Sequence, residues 1–127
     1  MLELVVAIAL FSTVTVLVVP VLGRVAAVRD EAAAHETAVL EAANVMERLA
    51  ALSVRRELTR SDLESLALSD AAINSLAAPQ LDVTLGEPEG EPAARRLTVA
   101  VSWENSAGQR GAPATVTRYL YGAGAAP

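Results

Sequence analysis

Cysteine is absent from the chain, which excludes a disulfide, a thiolate zinc site, an iron–sulfur cluster and a cysteine nucleophile. Lysine is absent as well, and ten arginines stand against fifteen acidic residues for a formal net charge of -5. A nucleic-acid surface needs clustered positive charge to displace counterions, so that class of partner is not expected. There is one His, and no GxSxG, HExxH or Gly-rich phosphate loop occurs. A serine nucleophile would have no supported base, so neither an enzyme nor a bound cofactor is expected. Aromatic residues number four, although hydrophobic residues reach 53%. Alanine carries much of that share, which favours helix over a thick core. At 127 residues the chain fits one domain of roughly 100 to 200 residues with an attached segment.

What is present is unevenly placed. From Leu4 to Gly23 the run LVVAIALFSTVTVLVVPVLG holds no charged residue. Twenty residues of helix at about 1.5 Å each span about 30 Å, the thickness of a bilayer's hydrocarbon core. The hydroxyls of Ser12, Thr13 and Thr15 can bond back to carbonyls of the preceding turn and need no outside partner. A cleaved secretory signal would carry a basic start and a shorter apolar core. A buried helix of a soluble protein would need more chain around it than the residues after Gly23 supply. Residues 1–23 therefore read as a membrane helix. Two residues interrupt its uniformity. Glu3 is a carboxylate at the helix start, where it suits the helix dipole or, inside a bilayer, asks for a partner. Pro20 removes one intrahelical hydrogen bond and is expected to kink or loosen the helix.

Residues 24–54 continue the helix in amphipathic form. Val25, Val28, Ala32, His35, Val39, Ala42, Met46 and Leu49 recur at alternating steps of three and four, one narrow face. Arg29, Asp30, Glu31, Glu36, Glu41, Glu47 and Arg48 fall on the remaining surface. His35 has no second His or carboxylate cluster at ligand spacing, so it is expected to be packed or partly exposed, and no metal site is expected. Residues 55–79 form a helical connector. Ser61 with Glu64 has the form of a capping box, and Ser69 with Asp70 restarts a helix toward Leu76, with Pro79 as its stop.

Residues 80–127 alternate with period two in three segments: Leu81, Val83 and Leu85; Leu97, Val99, Val101 and Trp103; and Val116, Arg118 and Leu120 against Thr117, Tyr119 and Tyr121. They read as antiparallel strands. The link GEPEGEP is a solvated turn without the ligand spacing of a calcium loop. Asn105 to Pro113 is a second Gly-rich loop, and the terminal GAGAAP is expected to fray. Such a small sheet needs a cover for its apolar face, and the amphipathic half of the long helix is the obvious one. The expected fold class is α+β: a long N-terminal helix carrying a small antiparallel sheet.

The string MLELVVAIALFSTV resembles the start of mature type IV pilins and of the pseudopilins of type II secretion. Glu3 falls on the Glu of that motif, and Pro20 on the proline that interrupts the helix in many of those proteins. By that alignment Met1 stands at the third mature position, and the leader with its basic residues, its Gly and the Phe after it are absent from the chain as written. AVLEAANVMERL is similar to the Ala-rich helix of I-type minor pseudopilins, and LTVAVSWENSAGQRGAPATVTRYLYG to the terminal hairpin of V-type minor pilins. The resemblance implies a pilin-like fold and a structural minor subunit of a type II secretion pseudopilus or type IV pilus. It implies partners as well: the membrane, other pilin or pseudopilin subunits, and prepilin peptidase where the full leader exists. Glu3 would neutralise the amino terminus of a neighbouring subunit, setting register as helices stack. The implied location is the bacterial inner membrane, single-pass, with the C-terminal part periplasmic. Arg24 and Arg29 at the outer end, read by the positive-inside rule alone, give the opposite orientation. The rival expectation is a single-pass anchored binding module unrelated to pilins.

Overall fold

A computed structural model of the chain describes residues 1–90 and 93–121. The element order is α1 (Leu2–Arg55), α2 (Arg60–Glu64), α3 (Asp70–Ser75), β1 (Ala77–Gly86), β2 (Ala94–Glu104) and β3 (Ala114–Tyr121). The fold is α+β, a long N-terminal helix that packs on a three-stranded antiparallel sheet. The chain divides into two compact units, residues 1–33 and 34–127, and α1 contributes to both.

In the first unit every residue from Met1 to Ala33 is exposed within the chain. Beyond the first turn, and apart from the interruption at Pro20, its backbone polar groups pair within the helix, as a segment requires where water is absent. The hydroxyls of Thr13 and Thr15 follow suit, donating to the carbonyls of Ala9 and Phe11, each at 2.8 Å. Pro20 lies inside α1, and helix continues on both sides of it. With no N–H to give, Pro20 leaves the Val16 carbonyl without its usual partner.

In the second unit the three strands follow one another as a meander, β1-β2-β3. Register pairs Val83 with Val99 and Val99 with Val116, so the inward rows of all three strands coincide. Leu97, Val99, Val101 and Trp103 form the buried row of β2 and join Ala38, Ala42, Val45, Met46 and Leu49 of α1 in one core. Leu81, Val83, Leu85, Val116 and Leu120 flank that core half-buried. The alternation expected is the burial pattern observed in β1 and β2, while in β3 it breaks at Arg118, which is exposed between half-buried Val116 and Leu120.

The helix face is rotated from the one that spacing alone suggests. Ala34 and Ala38 meet the core, while His35 and Val39 remain exposed. Alanines let the sheet approach where a β-branched residue would hold it off, and this outweighs the greater hydrophobicity of Val39. The rotation also buries Glu41, expected on the solvent side, to 4% exposure. Its carboxylate is satisfied there. Ser69 donates its backbone N–H to Oε1 at 2.7 Å and its hydroxyl to Oε2 at 2.8 Å, and Arg48 stands 3.7 Å from Oε1. Ser69 is also the N-cap of α3, accepting from the Ala72 N–H. One carboxylate thus ties the connector to the long helix.

The connector differs in one further respect. The cap of α2 is Thr59, with Asp62 at the third helical position, instead of Ser61 with Glu64. Asp62 accepts from the Thr59 N–H at 2.9 Å, the Thr59 hydroxyl at 2.7 Å and Arg56 at 2.5 Å. These bonds favour the charged form, so the Asp62 carboxyl titrates below its ordinary value, the Thr59 backbone bond being the largest cause. Glu64 instead pairs with Arg60 on the exposed surface.

Strand β1 begins at Ala77, upstream of Leu81, and takes in Pro79. Its pairing with β2 shifts register between Ala77 and Gln80, and Ala78 has φ +43°. Pro is tolerated there because β1 is an edge strand and the site is irregular. Arg110, from the β2–β3 loop, donates to the Ala78 carbonyl at 2.9 Å and to the Ser102 hydroxyl at 2.8 Å. That loop is shaped by Asn105, whose Oδ1 accepts from the N–H groups of Ala107 and Gln109. Gly90, in the acidic link, has φ +90°, open to glycine without strain. Residues 91 and 92 and the terminal GAGAAP lie outside the described residues.

Two outcomes are expected. Glu41→Ala strands the Ser69 N–H in a half-buried site and should lower unfolding stability by about 1 to 3 kcal/mol, measured by denaturant titration of the chain in detergent. Because the folded pKa of Asp62 is depressed, its contribution is fully present above the unfolded value of about 3.9 and is lost as pH falls through the lower folded value. Acid titration of Asp62→Asn beside the native chain should therefore show a weaker pH dependence in that window.

Candidate functional site

The run from Leu4 to Gly23 folds as helix because little in it competes: the Thr13 and Thr15 hydroxyls bond back, and Pro20 is its one break in the backbone ladder. Its surface is apolar on every side and exposed, with Phe11 at 76% and Val16 at 71%. Such a surface is unstable in water, at roughly 25 cal/mol for each Å² left wet. By length and composition α1 can cross a membrane once.

Glu3 sits in the first turn of α1, where a negative charge faces the positive end of the helix dipole. No described residue forms an ion pair or hydrogen bond with its carboxylate. Pro20 lies on the same helix, about 25 Å further along it. The structure therefore does not bring these two residues together; each acts at its own level of the rod. Arg24 and Arg29 follow the apolar run, exposed.

The second unit holds an open groove of about 1080 Å³ beside the C-terminal end of α1. Two ion pairs cross it: Arg118 reaches Glu47 at 3.4 Å, and Arg95 meets Glu57. Both pairs are largely exposed, so they contribute little to stability. Sequence reasoning passed over this groove, although one signal was there. Arg118 occupies the inward row between Val116 and Leu120, and an inward cation asks for a carboxylate on the covering helix. Ser53, on the groove wall, donates to the Ala50 carbonyl at 2.7 Å, a local helix bond. Among the described residues no three His, Asp or Glu side chains converge to hold a metal ion. His35 lies with its ring 5.8 Å from that of Trp103, tilted by 58°, an aromatic packing contact.

No family model matches the chain, and no curated protein or solved structure matches it either.

A charge at the centre of the apolar run tests its character. Val14→Arg should disfavour bilayer insertion by about 2.5 to 3.5 kcal/mol, read as the inserted fraction in a membrane-insertion assay. An equal change at exposed Ile73 of α3 should leave that fraction unaltered.

Proposed function

We propose that this protein is a non-catalytic structural subunit, a minor pseudopilin or minor pilin, that assembles through its N-terminal helix into a filament of like subunits. The observation that carries this reading is a single carboxylate, Glu3, without a partner among the described residues, at the entrance of a twenty-residue uncharged helix. A carboxylate in a low-dielectric bundle is costly until it meets a positive group. The ammonium of a neighbouring subunit, one step along the stack, supplies that group and fixes the register. The apolar rod is held in the bacterial inner membrane before assembly and in the filament core afterwards. The sheet unit, on the periplasmic side, faces neighbouring subunits. Pro20 loosens the helix between those two environments.

One observation favours a second reading. Arg24 and Arg29 follow the apolar run, and positive charge at that end, under the positive-inside rule, keeps the sheet unit in the cytoplasm. In that case the chain is a tethered binding module, and Glu3 sits at the headgroup level.

Glu3→Ala separates the two. It should leave membrane insertion intact, since the apolar span is not shortened, and should reduce incorporation into filaments, scored by the fraction of subunit recovered with sheared filaments. Undiminished incorporation of the variant removes the role assigned to Glu3.

A further inference from the structure

The two margins of the sheet are treated differently. At β1, α3 packs against the strand, Glu41 holds Ser69 of the connector on the same flank of α1, and Pro79 with a register shift interrupts the start of the pairing. β3 runs from Ala114 to Tyr121 without Pro or Gly, and its register against β2 is unbroken. Among the described residues no strand pairs with its other side. Along that side the N–H and C=O groups of every second residue point away from the sheet, a ready template for another strand.

The helix leaves room beside this margin. Arg118 of β3 reaches Glu47 at 3.4 Å, which fixes the flank of α1 that adjoins the strand. Val39, Ala43, Ala50 and Val54 fall on that flank by helical spacing, and all four are apolar. Ala50 is buried and Ala43 half-buried, whereas Val39 and Val54 are 39% and 87% exposed. The open groove of about 1080 Å³ lies between Ala50 and Val54 on one side and Leu120 and Tyr121 on the other. A strand added to β3 would therefore meet a backbone ladder at its edge and an apolar shelf under its inward side chains.

Charge says which strand. Arg118 is paired with Glu47 and Arg95 with Glu57, and the outward row of β3, Thr115, Thr117, Tyr119 and Tyr121, carries no charge. An uncharged strand fits such a margin without leaving an ion unpaired. A second copy of this chain fits it poorly. Its β1 is flanked by α3 and carries Asp82, and its β2 is paired on both sides. Its β3, laid antiparallel with the inward rows on one side, sets Arg118 opposite or diagonal to Arg118 in the registers of greatest overlap, and like charges so placed destabilise a sheet. We infer that the open margin of β3 takes an extended, uncharged strand of a different polypeptide, with alternate apolar side chains resting on the shelf of α1. Main-chain bonds to β3 supply affinity, and the shelf selects the side chains. Every residue used lies within residues 34–127, so the inference holds for a filament subunit and for a tethered module alike.

The probe is a blocked peptide of about ten residues, the length of a long strand, alternating Val with Thr and bearing a glycol tail and a fluorophore. Added to the full chain in detergent micelles, it should bind saturably by fluorescence anisotropy. Two matched peptides carry N-methyl groups, one on every Val and the other on every Thr. Alternate N–H groups of a strand point to opposite margins, so one of the two should bind at least about tenfold more weakly and the other as the parent does. The double variant Val39→Asp, Val54→Asp should weaken the parent peptide about tenfold, and Ile73→Asp, on exposed α3, should not. Trp103, the one tryptophan and 6% exposed, reports by its emission that the sheet stays folded in each variant. A peptide copying residues 114–121 should bind at least about tenfold more weakly than the probe. Equal binding of that copy gives the margin to a second molecule of this chain and overturns the inference. So do absence of saturable binding, equal binding of the two methylated peptides, or equal loss with Ile73→Asp.

Discussion

The residues from Leu4 to Gly23 are exposed among the described residues, and the free energy of that wet apolar surface is the constraint from which the rest of the structure follows. A helix is the form in which such a segment can leave water, because each backbone group finds its partner four residues away. The same helix then has to serve water further on. Past Gly23 charges enter on most of its circumference, and the apolar surface contracts to a band. Over residues 38–49 that band becomes the floor on which the sheet folds.

The sheet depends on that floor in turn. Three strands with a half-buried first and third member make a thin layer, and its fully buried row, Leu97, Val99 and Val101, faces α1. Alanine at 38 and 42 brings the layers close; Leu49 and Val45 fill what remains. Glu41 adds direction to this contact. Hydrophobic packing alone would let the connector slide, whereas a carboxylate bonded to both the N–H and the hydroxyl of Ser69 allows one placement.

Much of this was legible in the sequence. The uncharged run announced its helix, period-two alternation gave the three strands, and Ser69 with Asp70 marked the start of α3. Three features were less visible, each for a physical reason. The buried face of α1 was misjudged by part of a turn, because a hydrophobicity count favours Val39 over Ala38 and cannot foresee that a distant serine would satisfy Glu41. The cap of α2 went to Thr59 and Asp62, two residues before the pair Ser61 and Glu64, because overlapping pairs of similar type compete and Arg56 decides between them in space. Pro79 looked like a stop, yet an edge strand with a register shift accommodates it. At the candidate site, the position of Glu3 and Pro20 on one rod followed from spacing, while the groove crossed by Arg118 and Glu47 needed the third dimension.

The entrance to the first strand has a consequence for crowded arrays. Pro79, the displaced register and the Arg110 side chain laid over the Ala78 carbonyl together blunt the first residues of β1 against an incoming strand. End-to-end growth of sheets requires two open margins on every copy, one to give and one to receive. Pairing of neighbouring copies into a continuous ribbon is therefore disfavoured where it would have to begin at the start of β1.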